Sequence, residues 1–277
     1  MQSRKLKSNV GVSVGLVGEL RAHVLRSRIL RNTRLVRVWL PPGYEVRGKA
    51  RYPVLYLNDG QNLFDPATAF AGVAWQAGEI AARLASEKMI PPLIVVGIDN
   101  TGENRIREYI PYRSVDPPVP RPLGMRYPDF LKREVMPLVE ENYRVAKGAE
   151  HTALGGSSLG GLIALYTQVA MPGVFGRLLI ESPSLFVANR RILEDVRSVR
   201  EWPQRVYLGI GTREVGIPEK DLQAVQDVCE LGKTLRAAGL GKNRAKVWIE
   251  EGAPHSEGAW AARFPQALKF LYSGGRL

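Results

Sequence analysis

The residues with the clearest chemical potential lie in Ala153-Leu-Gly-Gly-Ser-Ser-Leu-Gly-Gly, where Gly156-Ser157-Ser158-Leu159-Gly160 reads G-x-S-x-G. A serine at the centre of that pattern, set between a strand and a helix, stands on a strained turn that exposes its hydroxyl. The flanking glycines let the backbone pass without a side-chain clash. The spacing selects Ser158 over Ser157 as a nucleophile. The next N–H, on Leu159, opens a helix and can donate to a developing oxyanion. A plain glycine turn is the bland alternative, and a phosphate-binding loop is disfavoured because the Lys-Ser/Thr ending is missing.

A serine hydroxyl is a poor nucleophile at neutral pH unless a base accepts its proton. The chain has three histidines. His23 lies in an N-terminal strand region, far ahead of Ser158. His151 starts the strand that leads to Ser158, at the end opposite the turn. His255 sits in Glu251-Gly-Ala-Pro-His-Ser-Glu-Gly, after a strand ending near Glu250 and before the last helix, so it projects from the same sheet edge as Ser158. Elimination and position together select it as the base.

An acid that fixes the imidazole tautomer belongs on a loop after an intervening strand. Val206-Tyr-Leu-Gly-Ile is such a strand, followed by Gly211-Thr-Arg-Glu-Val-Gly-Ile-Pro-Glu-Lys-Asp. Glu214 is nearest the strand end. Asp221, which also reads as the N-cap of the next helix, and Glu219 are alternatives; so is a Ser-His dyad with carboxylates that only solvate the loop. A second oxyanion donor normally comes from the loop after an earlier strand, here Asn58-Asp-Gly-Gln-Asn-Leu-Phe-Asp. The backbone N–H of Gln61 is the better placed, with Asn62 next.

Positioning these groups requires a sheet. Apolar runs at Val54-Leu-Tyr-Leu, Leu93-Ile-Val-Val-Gly-Ile, Thr152-Ala-Leu, Leu178-Leu-Ile, Val206-Tyr-Leu-Gly-Ile and Ala245-Lys-Val-Trp-Ile read as strands. Helical spacing runs from Trp75 to Ala85, Tyr127 to Glu141, Leu159 to Val169, Asp221 to Ala238 and Gly258 to Tyr272. Continuous apolar strands between amphipathic helices predict an α/β fold: a mostly parallel sheet with helices on both faces. Residues up to Trp39 form an antiparallel N-terminal section, and Asp116-Pro-Pro-Val-Pro-Arg-Pro-Leu-Gly is a surface loop. Reactive groups collect beyond the carboxyl ends of strands in this architecture.

At 277 residues the chain suits one domain, with residues 1–18 a peripheral extension. No apolar run is long enough for a membrane span and no secretory leader is visible, so a cytoplasmic protein is expected. The single cysteine, Cys229, allows no internal disulfide. A formal charge of +12 raises the question of nucleic acid. The densest arginines, from Arg21 to Arg51, alternate with apolar residues as on a solvated sheet face, and no helix-turn-helix, zinc-finger or RNA-binding aromatic motif accompanies them.

Several further motifs stand in order along the chain: Arg37-Val-Trp-Leu-Pro-Pro-Gly-Tyr, Tyr52-Pro-Val-Leu-Tyr-Leu-Asn-Asp-Gly-Gln, Val96-Gly-Ile-Asp-Asn with Arg105, Arg107, Glu108 and Tyr109 downstream, Leu208-Gly-Ile-Gly-Thr-Arg-Glu, and His255 followed by Trp260. With the Ser158 turn, they resemble the Putative esterase family, which includes esterase D, feruloyl and acetyl-xylan esterases and the enterochelin esterases. The resemblance implies the α/β-hydrolase fold, a Ser158–Glu214–His255 triad, and oxyanion donors from the Gln61 loop and Leu159. It implies no metal or organic cofactor.

The activity this implies is hydrolysis of small or aromatic acyl esters through an acyl-enzyme. A siderophore-lactone esterase, an acyltransferase and a catalytically idle ligand-binding protein are the alternatives. Arg105 and Arg107, near Glu108, read either as contacts for an anionic substrate or as an ion pair buttressing their loop. Trp75 reads as the wall of an aromatic pocket or as packing, and Asn62 as a further substrate contact. The partner expected is a small-molecule ester, not nucleic acid or membrane, with a homodimer left open.

Overall fold

Strands covered on both faces have no side to give to polar residues, and three runs of this chain fit that description. In the computed structural model, which describes residues 17–272, Val54–Asn58, Ile94–Ile98 and Thr152–Ser157 are buried at every position. They are β3, β4 and β5 of an eight-stranded sheet completed by β1 (Glu19–Arg26), β2 (Thr33–Leu40), β6 (Arg177–Glu181), β7 (Arg205–Arg213) and β8 (Ala245–Pro254). The order is β1-β2-β4-β3-β5-β6-β7-β8. From β4 to β8 all neighbours are parallel, while β1 pairs with β2, and β2 with β4, antiparallel. This is the α/β-hydrolase fold.

Side chains alternate across the pleat with a period of two, which divides the core in two. Tyr56, Val96 and Leu154 join the side chains of α3 (Tyr127–Phe130), α4 (Met136–Asn142), α5 (Leu159–Ala170), α6 (Val187–Asp195) and α7 (Pro218–Ala237). Leu55, Leu57, Val95 and Ala153 join α1 (Ala77–Ser86) and α8 (Glu257–Tyr272). A short helix, α2 (Arg105–Tyr109), follows β4 and delivers Tyr109 to the first cluster. Among the described residues no helix is long and apolar enough to cross a membrane.

Three features depart from the sequence reading. The strand expected to end near Glu250 continues to Pro254, because β7 continues beside it: Gly211 pairs with Glu250, and Arg213 with Pro254 after a register shift. Helix α6 was not expected, since its four apolar residues fall in two pairs split by Asn189-Arg-Arg. Helix α7 starts at Pro218, so Asp221 lies inside its first turn rather than capping it. Of the stretch 1–18 expected as an extension, residues 1–16 lie outside the described residues.

The N-terminal arginines are also not all solvated. Arg34 is buried, with its guanidinium 2.8 Å from Glu108 and 4.7 Å from the Phe130 ring centroid. Arg37 donates three hydrogen bonds to Asp99, at 2.8 and 3.1 Å from Nε and 3.0 Å from Nη2. The carboxylates that neutralise both arginines come from the segment after β4, the strand beside β2. Removing one member of a buried pair strands the other charge, so Arg34→Ala should destabilise the protein by about 3–5 kcal/mol. Urea denaturation of the two proteins measures the difference.

Candidate active site

The turn from β5 into α5 holds Ser158 at φ 58° and ψ −127°, a left-handed backbone that a non-glycine residue adopts only under constraint. A Cβ on Gly156 would lie 2.7 Å from the carbonyl carbon of Gly160, so glycine is required where the strand end passes the helix start. The Ser158 N–H donates to the Glu181 carbonyl at the end of β6, at 2.9 Å. The Ser158 carbonyl accepts from the N–H of Ser184 at 3.2 Å. Ser158 Oγ lies 3.5 Å from Ser184 Oγ. Leu159 occupies the first position of α5, where backbone N–H groups have no partner within the helix.

Glu214 and His255 meet because of the register that closes the sheet. Arg213 of β7 is paired with Pro254 of β8, so the next residue on each strand leaves the sheet at the same point. His255 Nδ1 is hydrogen-bonded to Glu214 Oε2. The other carboxylate oxygen, Oε1, accepts the Ser182 hydroxyl at 2.8 Å and the Gly211 N–H at 2.7 Å. Burial of Glu214 opposes its ionisation, but the bond and charge of His255, with the Ser182 and Gly211 donors, outweigh that and hold it below its usual 4.5. The imidazole also meets the Trp260 ring edge-on, with centroids 4.9 Å apart. Among the described residues Ser158 Oγ makes no hydrogen bond with His255. The two groups are linked through Glu181-Ser182, whose carbonyl holds the Ser158 turn and whose hydroxyl holds Glu214.

The third edge of the site follows β3. Asp59 takes a left-handed φ of 59°, and residues 60–62 form a tight helical turn. A Cβ on Gly60 would lie 2.4 Å from the carbonyl carbon of Gly97, so no other residue fits there. Asp59 is clamped by both Arg105 Nε (2.8 Å) and Nη2 (2.7 Å), and by the Asn100 amide at 2.7 Å. Gln61 accepts the Asn100 N–H through Oε1 at 3.2 Å. Asn62 is buried; its amide donates to Glu257 at 3.1 Å and its carbonyl oxygen accepts the Phe70 N–H at 2.9 Å.

Ser158, Glu214, His255 and the Gln61 turn thus lie on the loops beyond one edge of the sheet, after β5, β7, β8 and β3. Arg105 does form a buttressing ion pair, but with Asp59; Glu108 is engaged by Arg34 and Asn32. Arg107 is exposed and donates to the Arg121 carbonyl at 3.3 Å. Trp75 is core, with 3% of its surface exposed, packed on Trp260 and Phe264 rather than walling an open pocket. Asp221 accepts the Val215 N–H at 2.7 Å, bracing the Glu214 loop, and Glu219 is exposed. His23 bonds to the Tyr143 hydroxyl, and His151 stands before β5, both away from this edge.

Sequence reasoning missed Ser182, Asp59, Asn100 and Glu257. Ser182 follows the apolar run at Leu178-Leu-Ile, so the strand-end rule that singled out Glu214 applies to it equally.

The Putative esterase family model matches residues 27–271. The chain belongs to that family. The esterase is thereby a carboxylic ester hydrolase. It is 26% identical over 255 residues to the uncharacterized protein YbbA of Bacillus subtilis, covering 88% of the chain and 94% of the relative. It is 27% identical over 227 residues to the iron(III) enterobactin esterase of Dickeya dadantii. That match covers 77% of the chain but spans only 47% of the Dickeya protein. Among solved structures, an IroE-like serine hydrolase from Shewanella oneidensis superposes with a TM-score of 0.73 at 23% identity, covering 92% of the esterase and 80% of the other chain.

Proposed function

We propose that the esterase works through an acyl-enzyme on Ser158, with His255 as base, Glu214 as the acid that orients it, and the N–H groups of Leu159 and Gln61 as oxyanion donors. The observation that supports this most is the Glu214–His255 hydrogen bond, tied through Ser182 and Glu181 to the strained Ser158 turn. With Nδ1 committed to Glu214, only Nε2 is left to act on the nucleophile. Ser158 Oγ attacks the ester carbonyl as its proton passes to Nε2. The carbonyl oxygen gains the negative charge and accepts from the two backbone N–H groups. The C–O bond to the alcohol then breaks, and the alcohol leaves with the proton from His255. Water repeats the sequence on the acyl-enzyme, releasing the acid and restoring Ser158.

The substrate proposed is an ester with an aromatic or other compact apolar acyl group. Phe70 and Val73 after β3, Phe186 after β6, and Val215 and Ile217 after β7 are apolar and exposed on the loops that carry the site. Phe186 stands two residues beyond Ser184, the neighbour of the Ser158 hydroxyl. A panel of acetate, butyrate, methyl ferulate and catechol-bearing lactone esters tests this reading. Phe186→Ala should lower the preference for the aromatic ester over acetate roughly 2- to 10-fold, the worth of one aromatic contact of about 0.5–1.5 kcal/mol. An unchanged ratio would remove Phe186 from the acyl site. A siderophore lactone is the second reading, favoured by the name of the Dickeya relative; cleavage of the lactone alone from the panel would select it.

A further inference from the structure

Behind the Glu214–His255 pair lies a hydroxyl whose single hydrogen has only one place to go. Ser182 Oγ is 2.9 Å from the indole nitrogen Nε1 of Trp260, 3.3 Å from Nη2 of Arg263 and 2.8 Å from Oε1 of Glu214. Indole and guanidinium nitrogens donate and cannot accept. Both therefore point hydrogens at Ser182 Oγ and fill its two lone pairs, and the serine's own hydrogen is left for the carboxylate. We infer that Ser182 is a positioning residue for ester hydrolysis: Trp260 and Arg263 fix its hydroxyl as an obligate donor to Glu214, which sets the carboxylate oxygen that faces His255. This rests on the Ser158–Glu214–His255 reading above.

The groups behind the hydroxyl are themselves held. Arg263 is almost fully buried, and it donates at 2.8 Å both to Glu181 through Nε and to Glu250 through Nη1. Burial pushes the Glu181 carboxyl up to about 7, against the pull of Arg263 and with further repulsion from Glu214 and Glu250. Glu214 therefore faces His255 from the loop after β8, Ser182 and Glu181 from the end of β6, the Gly211 N–H from β7, and Arg263 one bond further back on α8, with Glu250 beyond it. Besides His255, Ser182 is the side chain among these that bonds directly to Glu214. A carboxylate held by two donors on one oxygen stays ionised and cannot flip, which leaves Oε2 for the imidazole.

Loss of the Ser182 donor should raise the pH at which Glu214 becomes neutral, because its charged form loses a hydrogen bond. Hydrolysis of p-nitrophenyl acetate across pH by wild type, Ser182→Ala, Trp260→Phe and the double variant tests the inference. Ser182→Ala is expected to lower kcat about 10- to 100-fold, by analogy with the outer partners of metal-ligating residues, with KM within about twofold and the second, steeper acid limb of kcat/KM, on which Glu214 also takes up a proton, moved to higher pH. Trp260→Phe should move the limb the same way by less, and the double variant should be no worse than Ser182→Ala alone. Wild-type kcat in Ser182→Ala, a kcat loss with an unmoved limb, or losses that multiply in the double variant would each overturn it. If Ser182→Ala does not fold, an unmoved limb in Trp260→Phe does the same. Hydrolysis by Ser158→Ala at the wild-type rate would instead sink the nucleophile assignment, so the two failures are distinct.

Discussion

Alanine in place of Ser158 is expected to lower ester turnover about 10⁶-fold, by analogy with serine proteases whose nucleophile has been removed. The loss is large because the Ser158 turn serves one atom. Its left-handed backbone, the close passage at Gly156, and the bonds to Glu181 and Ser184 all fix where Oγ stands. Alanine tolerates the same backbone as serine, so the fold should survive and the loss should fall on kcat. The proposed oxyanion donors at Leu159 and Gln61 remain, and a residual rate of about 10³–10⁴ over water is expected from them and from substrate binding. Steady-state hydrolysis of p-nitrophenyl butyrate, with thermal melts to confirm folding, measures this.

His255→Ala should cost nearly as much, again about 10⁶-fold, and combining it with Ser158→Ala should add little, since the two act as one unit. Glu214→Ala should cost less, about 10⁴-fold, because the imidazole keeps its place against the Trp260 edge after its orienting partner is lost. Asp221→Ala should have a small effect: its carboxylate holds the Val215 N–H and makes no bond to His255. A reversed order, with Asp221→Ala crippling turnover and Glu214→Ala tolerated, would transfer the acid role to the helix.

The placement of Ser158 and His255 at one sheet edge was legible because each follows an apolar run whose end marks that edge, and position along a parallel strand determines which edge it is. Glu214's place at that edge was legible for the same reason, but its hydrogen bond to His255 was not resolvable from spacing. It turns on the pairing of Arg213 with Pro254, a register shift that no local pattern reveals. The contacts of Ser182 were invisible because its three partners lie 32, 78 and 81 residues away, on the loop after β7 and twice on α8. Burial of Arg34 was missed in the opposite way. Arginine alternating with apolar residues looks like a solvated strand face until a carboxylate 74 residues on covers it. Trp75 shows how a large ring at a helix start carries no mark of whether it faces a pocket or the core; the partners that decide, Trp260 and Phe264, come from the last helix.

The most direct measurement of whether His255 activates Ser158 is the rate of covalent capture by a fluorophosphonate probe, followed by intact mass and peptide mapping. A single adduct on Ser158 in the wild type, absent from Ser158→Ala and formed at least about 10³-fold more slowly in His255→Ala, is the expected result. Capture at the wild-type rate without the imidazole, or an adduct on Ser157, Ser182 or Ser184 in place of Ser158, would contradict it.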